Sequence, residues 1–285
     1  MTLAADHCLD YPQEYYISEG CSRIHDKQDF VPEDVQSGDI VFVKTDFIYT
    51  GQFTQQYFNR IKNPFILVTG VSSFQVGANG NKDYIELLES EKVLKWFCTN
   101  PPELSHRKLH AIPIGFEEYE RPGGNQTILS IFSERDNTSN KLDKVYLPYH
   151  TLSTNPNRVE NVEYLKSLDF VEVETSRMGF YDYLEKMSKY KYVICLEGAG
   201  WDTHRNYEAL LVGSIPIMKS SVISQIYKKE QLPRVFINDW TKLAEKSIPQ
   251  YSPDMFKKVK NFLKIGYHLD KIRASKGNSK NETMV

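Results

Sequence analysis

The chain has 285 residues and a mass of 33.1 kDa, with 35 Lys+Arg against 37 Asp+Glu and a formal charge of −2. That length suits one large domain or two of ~130–150 residues, and 40% hydrophobic with 25% charged residues excludes wholesale disorder. A pI of about 6.4 excludes a broad nucleic-acid surface, which needs clustered base.

Residues 1–38 are polar, show no clear period, and read as a loosely packed lead-in. Short apolar runs then alternate with helical stretches. Asp39–Lys44 and Phe65–Gly70 read as strands flanking a helix around Phe53–Ile61. Asp83–Leu94 has helical spacing, and Lys95–Thr99 and His110–Ile114 read as further strands. Residues 121–143 mix Gly, Asn, Ser and charge, and mark the domain boundary. The alternation then resumes, with strands at Lys144–Tyr149, Phe170–Glu174, Tyr192–Leu196, Ser214–Met218 and Arg234–Ile237. Between them the pattern predicts helices at Arg158–Leu168, Gly179–Ser188, His204–Val212 and Val222–Tyr227. Further helices are expected from about Thr241 and over Ser252–Leu269, followed by a disordered polar tail. Continuous apolar strands alternating with helices predict an α/β fold with buried parallel sheets. The expected division is 1–143, 144–272 and a tail over 273–285.

Cys8, Cys21, Cys98 and Cys195 form no CxxC pair or zinc-type cluster and read as thiols of a reducing compartment, with a Cys8–Cys21 disulfide left open. The first residues carry neither a basic n-region nor an apolar stretch, and no run approaches the ~18 apolar residues that span a bilayer. A soluble, cytoplasmic protein is expected. The sequons at Asn125, Asn137 and Asn281 read as chance in that setting.

The segment richest in chemistry is Tyr192–Met218. A buried strand enters a turn containing Gly198 and Gly200, and Asp202 or Thr203 can then cap a helix. Open α/β sheets bind ligands beyond the carboxyl ends of their strands. Glycines let backbone approach a phosphate, and a helix N-terminus offers free N–H groups. Arg205 in the first turn can bind a phosphate oxygen, and Glu208, three residues on, can accept from a ribose diol. The pair is equally compatible with a solvated helix salt bridge worth ~0.2–0.5 kcal/mol. His204 alone suits a capping or surface role.

Taken whole, Leu196–Ser221 resembles the C-terminal signature of exostosin-type glycosyltransferases: a Gly-rich turn, an acid, Arg205, the Glu208–Ala209 pair and a Gly–small–apolar–Pro strand. The upstream helix with Tyr181 and Tyr183 and the downstream stretch Val235–Trp240 also fit. The likeness is strong over residues 177–241 and looser over Trp96–Glu118. In size the chain resembles compact members from microbes and large DNA viruses of algae, where a xylosyltransferase activity is described.

The resemblance implies a GT-B architecture: two Rossmann-like domains with parallel sheets facing a central cleft. A UDP-sugar, with xylose the best guess, would bind the C-terminal domain, and an oligosaccharide or glycoprotein glycan acceptor the N-terminal one. Carried over, Glu208 would bind the ribose and Arg205 the diphosphate. Gly198, Gly200, Asp202, Thr203 and His204 would line the phosphates, with Lys219, Ser220 and Ser221 nearby. Arg177 is a second phosphate candidate, and Tyr181 a cover for the base. The reaction would be an inverting transfer without prosthetic group or metal, and no DxD-type motif occurs. The general base is sought among Asp46, Glu117 and Glu118, each following a strand of the N-terminal half. The polar cluster that related sequences carry after Thr69 is missing, so an inactive nucleotide-sugar- or glycan-binding homologue is the competing reading.

Aromatic residues make up 13% of the chain, with 18 Tyr and 15 Phe. Phe47, Phe74 and Phe116 are candidate stacking positions for an acceptor, with Tyr49, Tyr119, Trp201 and Trp240 also placed at the cleft. Tyr190, Tyr192 and Phe236 read as core.

Overall fold

The computed structural model describes residues 4–12, 15, 29–119 and 121–282, with side chains as far as Lys276. The chain forms two compact units, one of residues 1–114 and 265–285, the other of residues 115–264. Each contains a five-stranded, wholly parallel sheet.

The first sheet runs β1 (His7–Leu9), β2 (Ile40–Lys44), β3 (Phe65–Gly70), β4 (Val93–Cys98) and β5 (Leu109–Ala111), in strictly sequential order. Its strands are continuous apolar runs because both faces are covered. The pleat sends Val41, Val43, Phe65 and Leu67 to one core, and Ile40, Phe42, Ile66 and Val68 to the other. Right-handed crossovers in a sequential order all fall on one face. Accordingly Phe47, Phe53, Phe58, Val76, Leu87 and Leu88, all from the connections, pack with the first set. On the opposite face Leu269 and Ile272 of the helix Ile265–Glu282 join Ala4, Ala5 and Ile112 in one core with Ile40, Phe42, Ile66 and Val68.

This long helix corrects two expectations. The polar tail from Arg273 continues the helix as far as Glu282, and the final segment belongs to the first unit rather than the second. The dividing point also falls at 114/115, not 143/144. Residues 121–143 hold a helix, Gln126–Glu134, whose first turn is capped by the Asn125 side chain accepting from the Ile128 N–H at 3.1 Å. Its packing partners Leu129 and Phe132 are too few to mark it in a polar stretch, and they become core only against Tyr146, Leu184 and Val193. Strand β1 went unread for a similar reason, being three residues long.

The second sheet is built from β6 (Leu142–Leu147), β7 (Val171–Val173), β8 (Tyr190–Ile194), β9 (Ile215–Lys219) and β10 (Val235–Ile237). Its spatial order is β7-β6-β8-β9-β10. The chain moves outward from β6 to β7, then reverses to the other side of β6 with β8. That reversal is a topological switch point, where the carboxyl ends of β6 and β8 diverge and leave a crevice.

Cys98 and Cys195 are buried free thiols, and burial pushes Cys98 up to about 12. Cys21, and with it the Cys8–Cys21 pairing, lies outside the described residues. Among the described residues no helix is long and apolar enough to cross a membrane.

Candidate functional site

A cavity of about 400 Å³ opens at the switch point, within the second unit. Most of its wall comes from four stretches, joined by Phe180 and Tyr183 of helix Phe180–Met187. Tyr149, Thr151 and Thr154 follow β6, and Glu174, Ser176, Arg177 and Met178 follow β7. Thr203, His204, Arg205 and Glu208 come from the turn and helix after β8, and Glu117, Arg121, Pro122 and Gly123 from the loop that opens the unit. Arg158, at the start of helix Arg158–Lys166, forms part of the floor.

Arg205 and Glu208 are joined through Tyr183, on helix Phe180–Met187. Arg205 Nε donates to the Tyr183 hydroxyl at 2.9 Å, and that hydroxyl donates to Glu208 Oε2 at 2.7 Å. Arg205 Nη2 donates to the Tyr149 carbonyl at 3.1 Å. Two anchors thus orient a guanidinium that has five N–H donors in all. Burial opposes the Arg205 charge, yet Tyr183 and Glu208 carry its pKa above the ordinary value. Glu208 is only 7% exposed, and burial raises its carboxyl above the usual range against the pull of Arg205 and Tyr183. Burial likewise keeps Tyr183 a neutral phenol.

The turn after β8 is stapled from below. Arg158 donates to the Glu197 carbonyl at 2.8 Å, the Leu196 carbonyl at 3.4 Å and the Thr151 carbonyl at 2.8 Å, and Asn155 to the Gly198 carbonyl at 2.9 Å. Burial and the Arg205 charge lower Arg158 to about 10. His150 sits behind the wall, 5% exposed, its Nδ1 bonded to the Pro148 carbonyl at 2.6 Å. Burial, then Arg205 and Arg158, push its pKa well below the ordinary value, so it is neutral.

Of the residues singled out from sequence, the cavity brings together Glu117, Arg177, Thr203, His204, Arg205 and Glu208. Others fall elsewhere. Asp202 is 1% exposed and turned inward, accepting from Asn206 at 2.8 Å and from the Tyr207 hydroxyl. It therefore locks the helix start instead of facing a ligand. Neither Gly198 nor Gly200 reaches the wall, and a Cβ at Gly198 would meet only ordinary contacts, the nearest at 3.6 Å. Lys219 ends β9 and Ser220 follows it, away from the switch point. Lys219 pairs with Glu197 at 3.7 Å and lies over the Trp201 ring, while Ser220 N–H donates to the Ile237 carbonyl at 2.7 Å.

The three carboxylates considered as bases separate. Asp46 belongs to the first unit, in helix Thr45–Tyr49, 3.7 Å from Lys44 Nζ. Glu117 and Glu118 lie past Ile114 and so belong to the second unit. Glu118 pairs with Arg121 at 3.4 Å, off the wall. Glu117 is on the wall, accepting the Gly123 N–H at 3.1 Å. Gly123 and Gly124 seat it: a Cβ on Gly123 would lie 2.6 Å from Glu117 Oε2, and one on Gly124 would lie 1.9 Å from the Glu118 carbonyl oxygen. The Pro-Gly-Gly run read as boundary punctuation is thus the seat of a pocket carboxylate.

Tyr183 lines the cavity where Tyr181 was expected to. Tyr181 instead accepts from Arg135 at 2.7 Å and packs on Phe132. Tyr183 enters the resemblance only as part of its helix, and nothing local distinguishes it, Arg158 or Tyr149 as site residues from other helix-face and loop residues. Among the aromatic candidates, Phe47 and Trp240 are core, whereas Phe74, 39% exposed, stacks on Tyr49 with ring centroids 4.6 Å apart. No protein-family model matches the chain, and no curated protein sequence matches it.

Proposed function

We propose that the second unit binds a nucleoside diphosphate sugar and that the protein is a glycosyltransferase of GT-B type, exostosin-like, transferring a sugar from a UDP donor to a glycan hydroxyl. The observation that carries this reading is the Arg205–Tyr183–Glu208 relay in a cavity at the switch point of the second sheet. A cation and a carboxylate, one helical turn apart and held by one phenol, match the two ends of a nucleoside diphosphate. Arg205 takes the diphosphate, supported by Arg177 on the same wall. Glu208 takes the ribose hydroxyls through the lone pairs that Tyr183 leaves.

In the transfer, the acceptor oxygen attacks the anomeric carbon from the side opposite the diphosphate, which inverts the configuration. The carbon–oxygen bond to the β-phosphate breaks, and its electron pair goes to the phosphate oxygen. Arg205, pre-aimed by Tyr149 and Tyr183, meets that growing charge without reorganising. Xylose is the proposed sugar on resemblance alone.

Thermal-shift measurement against UDP-, GDP- and CMP-sugars tests the assignment. A donor at 100 times its Kd adds ~2.7 kcal/mol of stability, and Arg205→Ala should abolish the shift. A response confined to GDP-sugars would overturn the UDP assignment, and no response to any of them would overturn nucleotide-sugar binding.

A further inference from the structure

We infer that His204 is the general base of the pocket, accepting the proton of the attacking hydroxyl at Nε2. This rests on the glycosyltransferase reading above and adds to it the residue that moves the proton. His204 opens the helix after β8 and lines the cavity beside Arg205. Its Nδ1 lies 2.7 Å from the carbonyl oxygen of Gly115. A carbonyl can only accept, so Nδ1 carries the hydrogen, and in the neutral ring Nε2 holds the lone pair. Nε2 makes no hydrogen bond among the described residues.

The carbonyl that orients the ring is itself held by an uncommon backbone. Gly115 has a φ of +72°, a conformation that side-chain-bearing residues rarely adopt. The same loop then carries Glu117 to the wall and is closed by the Gly123 N–H. The base and its orienting acceptor thus come from two separate segments of the second unit, the arrangement by which a third group fixes the tautomer of a catalytic histidine. The carboxylates are less suited. Asp46 is in the other unit, Glu118 is paired with Arg121 off the wall, and Glu117 spends one oxygen on its own loop.

The acceptor O–H bond breaks, its proton goes to Nε2, and the oxygen's electrons form the new bond to the anomeric carbon. The diphosphate leaves with the electron pair of the old bond. His204 becomes an imidazolium and returns its proton to solvent after UDP departs. The charged groups that share the pocket wall with it are Glu117, Glu174 and Glu208, and Arg121, Arg158, Arg177 and Arg205.

The test compares wild type, His204→Gln and Glu117→Gln for UDP binding by calorimetry and for UDP release from UDP-xylose and UDP-glucose, with water as acceptor, across pH 5–9. The expected result for H204Q is a kcat about 10²- to 10⁴-fold lower, a UDP Kd within about threefold of wild type, and loss of the acid limb of the kcat profile. Retained UDP binding shows at once that the variant is folded. Turnover of H204Q within tenfold of wild type overturns the assignment, as does a loss confined to E117Q. A UDP affinity that falls as far as turnover makes His204 a phosphate ligand and also overturns it. If wild type binds UDP and releases it from neither sugar, the transferase reading fails and this assignment falls with it, an outcome distinct from an active wild type with an active H204Q.

Discussion

The Tyr183 hydroxyl donates to Glu208 Oε2 at 2.7 Å, tying a helix that precedes β8 to the helix that follows it. The same oxygen accepts from Arg205, so one phenol positions both residues of the proposed donor site. Tyr183→Phe keeps the ring and deletes that oxygen. It strands Glu208 and frees Arg205 to swing. We expect UDP affinity to fall about tenfold, the ~1.5 kcal/mol typical of a hydrogen bond to a charged group. Calorimetry with UDP measures it, and an unchanged Kd would dissolve the relay.

Arg158 makes a structural counterpart to that relay. Its guanidinium serves the carbonyls of Thr151, Leu196 and Glu197, and the residue is 8% exposed. Arg158→Met preserves the stem and orphans these acceptors. Unfolding in urea should show a loss of about 2–4 kcal/mol, since buried unsatisfied groups cost ~1–3 kcal/mol each and water recovers part. A loss under 1 kcal/mol would mean that the turn after β8 holds itself.

His150 predicts a pH dependence of known sign. In the folded protein it stays neutral, because burial and then Arg205 and Arg158 lower its pKa well below 6.5. In the unfolded chain it protonates near its ordinary value. Below about pH 6.5 the unfolded state therefore binds the extra proton, and stability falls as pH falls, by up to ~1.4 kcal/mol per unit. Above that value the term is flat. The difference in urea stability between wild type and His150→Gln, measured at pH 7.5, 6.5 and 5.5, should shrink toward acid. A difference that does not vary with pH would contradict the buried neutral state.

Ile272 is fully buried, in one core with Ile40, Phe42, Ile66 and Val68 of the first sheet. Ile272→Ala should cost ~2–5 kcal/mol, the usual range for such a truncation in a core. Ending the chain at Lys264 should go further, exposing Ile40, Phe42, Ile66 and Val68 together and producing dye-binding, aggregation-prone protein. Light scattering and a hydrophobic dye read both outcomes, and a shortened chain that stays monomeric and dye-silent would remove the helix from the core.

Much of the second unit was legible because its signals are local. Strand Tyr190–Ile194, the turn and helix His204–Leu211 follow one another with an apolar run, glycines and helical spacing, and the sequence pattern places Arg205 and Glu208 on one face. What escaped depends on distance along the chain. Arg158 meets carbonyls up to 39 residues away, and Tyr183 meets Glu208 across 25. Asp202 looked like a ligand-facing cap, but it is turned inward by the Asn206 and Tyr207 side chains that meet it. Lys219 and Ser220 lie at a strand's carboxyl end, Lys219 as its last residue, yet that strand is on the far side of β8 from the switch point.

Periodicity and turn chemistry by themselves determined an α/β chain of parallel strands, most of its elements, and the neighbourhood of Arg205 and Glu208, because each of those depends on residues close in sequence. Strand order decided the rest. Reversal at β6 opens a crevice in the second unit, while sequential order in the first leaves a face for the last helix to cover. The Gly115 carbonyl beneath His204 is such a decision too. It joins residues 89 apart in the chain, a pairing that no local pattern encodes.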